Sequence, residues 1–428
     1  MKHNRVLIVC ITIMVCAGTL SAETNLTVDE AVQLALENNL SLERTKVDME
    51  GKKRASDRSW NNLIPSVTAS GSVSHGTALV GDLSAGRDEW SSGGSLSASW
   101  SLSPAIVSGI KQTKTDYESG IITYEEAKQN LELQVRKAFY QILLYRANTD
   151  LIGQSIETAQ SRYEQAYRSA QAGQVPKLDE LSARVDLENL KPSLRSAEAQ
   201  YMNAMDSFKQ ILGLPADTDI SLTGTLDNDS GTIQVTGIRN VNESYSVSSL
   251  RKSLELLEAQ KSTAWNQAYM PSLNLSWNTT PTYGSSSKEW TDNGSFSVAL
   301  SFKLDNYLPW SSAREQIDSY NDSITNYQSQ ITEALMNSEN QIRQHQRSIE
   351  QSLESIDSLR LNVELAEETY AMYEESYAKG TADLQSLRSA YDSLSEAKHN
   401  VQQEYYNLLS VSLDLEKELN VPFGTLWQ

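Results

Sequence analysis

Hydrophobic positions along this chain follow two periods. Over most of its length they recur at alternating steps of three and four. One stripe runs Tyr124, Ala127, Leu131, Val135, Ala138, Ile142 and Tyr145, then through Thr149, Ile152, Ile156, Ala159, Tyr163, Ala166 and Ala170. A second starts at Ala313, Ile317, Tyr320, Ile324, Tyr327, Ile331 and Ala334. It continues through Ser338, Ile342, His345, Ile349, Ser352 and Ile356 to Leu359, Val363, Ala366, Tyr370, Tyr373 and Tyr377. A sustained 3.5-residue period predicts long helices, over about 106–172 and 311–379, that supercoil left-handed. At about 1.5 Å per residue each is roughly 100 Å long, beyond what an ordinary globular domain holds. Each stops at a glycine, Gly173 or Gly380, as helix C-termini prefer. Shorter helices return over about 178–212 and 384–419, and further short helices occupy about 39–62 and 246–268. Two short helices stacked end to end nearly match each long one.

The second period is two. In "NLIPSVTASGSVS" at 62–74, Val67, Ala69, Gly71 and Val73 alternate with serines and Thr68. This predicts strands at about 66–75 and 94–102, and again at about 272–280 and 294–303. Leu96, Ala98, Trp100 and Leu102 share one face, as do Phe296, Val298, Leu300 and Phe302; serines fill most of the opposite faces. Pro65 and Pro271 mark the strand entries, where proline ends the preceding helix. Segments of about 9–11 residues cross a bilayer when tilted, and Trp90, Trp100, Trp277, Trp290 and Trp310 sit where interfacial aromatics belong. Two readings fit: a membrane barrel, or a small soluble sandwich with one buried face. A barrel needs about eight strands at least, and an open edge in lipid leaves backbone groups unpaired. On the barrel reading four strands per chain therefore demand oligomerisation, two copies giving eight strands and three giving twelve.

The elements occur twice. "LIPSVTASGSV" at 63–73 answers "YMPSLNLSWNT" at 269–279, "GSLSASWSL" at 94–102 answers "GSFSVALSF" at 294–302, and "ILGLP" at 211–215 answers "ELNVP" at 418–422. The chain reads as a duplication with a period of about 206 residues. Residues 23–215 form the first repeat, 216–245 a linker rich in Asp, Gly and Thr, and 246–428 the second repeat. The predicted fold class is mainly α with a small antiparallel β part.

Composition narrows the function. Lys2 and Arg5 precede the apolar run "VLIVCITIMVCAG", and Ala22 precedes Glu23 at the expected cut, so 1–22 reads as a secretory signal. Both cysteines, Cys10 and Cys16, lie inside it. Disulfides and thiol chemistry are then excluded from the exported chain. The net charge of −19 argues against nucleic acid as a partner. His3, His75, His345 and His399 form no close metal-type pair. "SGIK" at 108–111 has a Ser–Lys spacing without companion motifs. "GDLSAGRDEWSSGG" at 81–94 reads as an exposed loop and lacks a phosphate-loop lysine. No cofactor, metal or catalytic residue is indicated.

The opening "LTVDEAVQLALENN" at 26–39, the "LIPS" and "MPS" strand entries, the "AGQVPKLDELSAR" and "KGTADLQSLRSA" returns, and "LNVPFG" at 419–424 resemble the TolC family of outer-membrane efflux channels. The resemblance covers nearly the whole chain after residue 22. It implies a homotrimer with a twelve-stranded barrel in the lipid of the cell outer membrane and a hollow helical tunnel in the periplasm. It also implies docking to a periplasmic adaptor and an inner-membrane pump, with export and no chemistry in this component. The helix turns at Gly173, Gln174, Gly380 and Thr381 correspond to adaptor docking. Asp179 matches an acidic position at the periplasmic aperture, and Tyr377 a tyrosine that helps hold the closed state. In the second repeat the return reads one residue shorter. Gln385 and Arg388 stand where the family often has aspartates, with Asp383 displaced by part of a turn. Asp179 also fits a solvated carboxylate favoured by a helix N-terminus, and the glycines fit helix termination. A surface-attached coiled-coil rod or adhesin is the alternative to a channel.

Overall fold

The computed structural model describes residues 24–75, 90–226, 244–284 and 289–426; the signal-like segment 1–22, most of the glycine-rich loop after His75 and most of the linker after Leu226 lie outside these. The chain opens with a three-residue strand, β1 (Thr24–Leu26), and two short helices, α1 (Val28–Asn38) and α2 (Leu40–Asp57). Thr27 and Glu30 close a capping box at the start of α1. Asn39 ends α1 and caps α2, its Oδ1 accepting from the N–H groups of Ser41 and Leu42. The helix expected over 39–62 is shorter than its pattern. It stops at Arg58, and a 3-10 turn, Ser59–Leu63, leads into Pro65.

Two strands follow, β2 (Ser66–His75) and β3 (Trp90–Leu102), then the long helix α3 (Pro104–Gln171) and the returning α4 (Lys177–Ile211). Strand β3 begins four residues earlier than expected, so the end of the stretch read as a loop at 81–94 is strand. A short strand, β4 (Ile220–Leu222), pairs in parallel with β1. Part of the presumed linker is thus ordered. The second half repeats the order with α5 (Tyr245–Tyr269), β5 (Ser272–Thr279), β6 (Thr282–Gly284), β7 (Glu289–Thr291), β8 (Ser295–Ser301), α6 (Ser312–Ala378) and α7 (Leu384–Glu418).

Helix α3 has 68 residues and α6 has 67, so each is about 100 Å long. Side by side, α3 packs against α2 and α4 on one flank and α5 and α7 on the other, while α6 packs on α5 and α7. Buried residues of α6 are Ala313, Ser338, Ile342, Ile349, Ser352 and Ile356, all on the expected stripe. On α3 the stripe members Leu131, Val135, Ile142, Ala159 and Ala166 are buried, but so are Phe139, Leu143 and Leu144. These belong to the main core with Leu26, Ala31, Val32, Ala35, Phe208, Leu212, Ile220 and Leu222. There α1 and the β1–β4 pair form an extra layer over the middle of α3. The second core joins Ile342, Ile349 and Ile356 to Tyr405, Leu408, Leu415 and Leu419. Among the described residues no helix is long and apolar enough to cross a membrane.

Candidate functional site

The sheet is one curled antiparallel surface whose strand order is β2, β3, β5, β8. Short β6 and β7 continue the second hairpin beyond Pro281, whose carbonyl accepts from the Gly94 N–H at 2.9 Å. Register converts the alternating sequence into complete cross-strand rows. One row is Ser66, Ser99, Ser276 and Ser297, and the next is Thr68, Ser97, Asn278 and Ser295. Hydroxyls meet across the strands at 2.6 Å for Ser66 and Ser99, 2.7 Å for Ser70 and Ser95, and 2.7 Å for Ser276 and Ser297. The intervening rows face the other way: Val67, Ala98, Trp277 and Phe296, then Trp100, Leu275 and Val298, then Leu102, Leu273 and Leu300. Val67, Phe296, Val298 and Leu300 are each more than half exposed. One face of this sheet is thus apolar and largely exposed, and the other is hydroxyl-rich.

Aromatic side chains gather at both ends of the apolar face. At one end the His75 and Trp90 rings lie 4.9 Å apart, and those of Tyr283 and Trp290 lie 5.5 Å apart. At the other, Trp100 donates its indole N–H to the Leu63 carbonyl at 2.9 Å. There too Tyr307 donates to the Tyr269 carbonyl at 2.7 Å, and Trp310 is 80 % exposed. Trp277 sits between, within the apolar rows. Pro65 and Pro271 each stand one residue before a strand. Both outer strands, β2 and β8, are paired on one side only.

At the opposite end of the molecule the two helical turns are built alike. Gly173 and Gly380 take φ of +70° and +73°. The Gln174 and Thr381 N–H groups reach back to the carbonyls of Ser169 and Ser376 at 2.9 Å each, the left-handed closure that glycine permits. Return helix α4 starts after Pro176 and α7 after Asp383, three residues past the glycine in both cases. The second turn is therefore not shorter, contrary to the expectation from sequence. Asp383 answers Pro176, and Ser386 answers Asp179. The Asp383 carboxylate caps α7, accepting the Ser386 N–H at 2.7 Å, and this bond holds its pKa below the usual value. Asp179 is half-buried in the first turn of α4. Burial first, and then the Asp179 charge, push the Tyr377 phenol up. Gln385 is exposed on α7 beside a shallow groove shared with Tyr373.

Arg388 is an ion-pair residue: its guanidinium binds Asp186 of α4 and lies 3.5 Å from Asp392. Close by, the Arg162 guanidinium of α3 stacks 4.7 Å from the Tyr391 ring and 5.7 Å from Tyr370, whose rings meet edge-on at 5.4 Å. Arg162, Asp186, Arg388 and Tyr391 line a cavity of ≈ 440 Å³ between α3, α4 and α7. The sequence pattern marked Arg388 as an aperture position and Tyr370 only as a member of the packing stripe, and it did not single out Arg162, Asp186 or Tyr391. The charges opposite in sign on α3, α4 and α7 were visible, but their alignment required the two returns to share one register.

Residues 31–214 match the family model described as outer membrane efflux protein. Solved structures agree in fold, and they extend the likeness beyond residue 214. The Campylobacter jejuni CmeC outer membrane channel is 15 % identical with a TM-score of 0.78, covering 92 % of this chain and 85 % of its own. The open state of the Neisseria gonorrhoeae MtrE outer membrane channel is 18 % identical with a TM-score of 0.75, covering 92 % and 89 %. The outer membrane protein VceC of Vibrio cholerae is 15 % identical with a TM-score of 0.73, covering 92 % and 96 %. No curated protein matches the sequence. The matched family model is that of outer membrane efflux proteins, and the fold is the one seen in outer membrane channels. Among the described residues no group of His, Cys, Asp or Glu is arranged to hold a metal ion.

Proposed function

We propose that the chain is one of three identical staves of an outer-membrane exit duct. It conducts substrates passively from an inner-membrane pump and periplasmic adaptor to the cell exterior. The observation that carries this reading is the sheet: hydroxyl rows on one face, apolar rows on the other, and an unpaired strand at each side. Backbone groups left unpaired in hydrocarbon cost several kcal/mol each, so β2 of one copy must meet β8 of the next. The helices support the same closure. Exposed Leu178, Leu181 and Val185 stripe α4 on the β2 side, and exposed Leu361, Leu365 and Met372 stripe α6 on the β8 side. Three copies give the twelve strands and the continuous helical tunnel that the TolC resemblance implies.

In this reading the turns at Gly173, Gln174, Gly380 and Thr381 meet the adaptor. The aperture is bordered by Asp179, Tyr377, Asp383 and Gln385, and the Arg388–Asp186 pair holds the tip helices together. Carboxylates around a narrow opening favour cations. Recording the purified oligomer in a planar bilayer tests the proposal: discrete conductance steps support a duct, and an oligomer that inserts without conducting overturns it.

A further inference from the structure

Just beyond the apolar rows, where the chain turns from strand to helix, a groove of ≈ 740 Å³ opens between the 3-10 turn, α3 and α5. Leu63, Leu102 and Val107 form its apolar wall, with Ser103, Ser108 and Lys111 at its polar rim. Its side in the assembly is fixed by register. Leu102 lies in the same outward row as Leu273 and Leu300, and the Leu63 carbonyl is held by the outward-facing Trp100. The groove therefore continues the lipid-facing surface. It is floored by the helix that follows β3, one strand in from the edge where copies would meet. Val107 is 65 % exposed and Leu63 is 41 % exposed, unusual for apolar side chains side by side in water. Lys111 is exposed and has no ion-pair partner among the described residues.

We propose that this groove binds a glycerophospholipid of the periplasm-facing leaflet. An acyl chain lies along Leu63, Leu102 and Val107, and the headgroup phosphate accepts hydrogen bonds from the Lys111 ammonium and the Ser103 hydroxyl. The site rests on the barrel reading, because only that reading puts the groove at headgroup level. A cation immediately outside an apolar band attracts anionic headgroups, and the apolar wall supplies what a free anion would not use.

The test is native mass spectrometry of the detergent-purified oligomer titrated with phosphatidylglycerol, with inorganic phosphate as a separate arm. Lys111→Ala weakens lipid binding about tenfold, the worth of one charge-assisted hydrogen bond. Val107→Ser weakens lipid binding while leaving the oligomer mass intact. Lys46→Ala, an exposed lysine on α2, leaves binding unchanged. An intact oligomer whose lipid affinity is the same in the wild type and in both groove variants overturns the site alone. So does displacement of the lipid by millimolar phosphate, or an equal loss with Lys46→Ala. Groove variants that dissociate the oligomer overturn it too, by assigning the groove to a second copy. A chain that forms no membrane oligomer in wild-type form overturns the barrel reading instead.

Discussion

Arg388 on α7 is ion-paired with Asp186 on α4, so the two return helices are joined directly although 202 residues separate the partners in sequence. The arginine side chain is 38 % exposed and the aspartate 20 %. A pair this accessible to water is worth about 1 kcal/mol after screening, or about fivefold in an equilibrium between closed and open tips. Arg388→Ala and Asp186→Ala should each raise the open probability of the reconstituted channel by about that factor. The double variant should add little, as partners in one interaction are not additive. Single-channel recording of the three variants checks this; fully additive effects would dissociate the pair from gating.

Neighbouring residues on β5 should behave oppositely. Leu275 faces the apolar side and Ser276 the hydroxyl side. An arginine on the lipid face costs about 2–4 kcal/mol near the bilayer midplane, so Leu275→Arg should abolish the heat-resistant oligomer on electrophoresis. Ser276→Arg should assemble normally and shift the reversal potential toward anions. The reverse pattern would mean that the faces are exchanged.

Asp179 should set the native preference. Its charge already reaches the Tyr377 phenol. Asp179→Asn should lower the cation-to-anion permeability ratio in a salt gradient, with oligomer stability unchanged. An identical ratio would leave Asp179 as a helix-terminal carboxylate only.

Glu416 is fully buried and accepts the N–H groups of Gly424 and Leu426 at 2.9 and 2.8 Å, which fastens the end of the described chain to α7. Burial raises its pKa above 4.5, against those hydrogen bonds. The folded state thus holds this proton more tightly than the unfolded chain does. The group's contribution is fully present below pH 4.5 and falls as pH rises through the folded value. Glu416→Gln should remove that fall, seen as a flatter difference in thermal midpoint between acidic and neutral pH. Glu416→Ala orphans both N–H groups and should cost about 3 kcal/mol.

Periodicity made the long helices legible, because a two-flank packing leaves one stripe buried: Ile342, Ile349 and Ile356 fall on it. The pattern understated α3 where Phe139, Leu143 and Leu144 are covered by an additional layer. That layer depends on β1 and β4, three residues each and paired in parallel; such short segments carry no period. The serine stripe announced the strands, but the continuous Ser66–Ser99–Ser276–Ser297 row needs both hairpins in one sheet. At the tip, Gly173 and Gly380 were plain as helix ends. The equal length of the two turns was hidden because Pro176 and Asp383, chemically unlike, occupy the same cap position.

Closure of the sheet between copies is the central claim, and the sequence permits a direct measurement, having no cysteine after Cys16. One cysteine is placed on β2 and one on β8, scanning β2 positions against Ser297, and the oxidised protein is run on a denaturing gel without reductant. The account predicts that one register yields a ladder of monomer, dimer and trimer that stops at three. A ladder stopping at two, or no intermolecular product at any register, would contradict it.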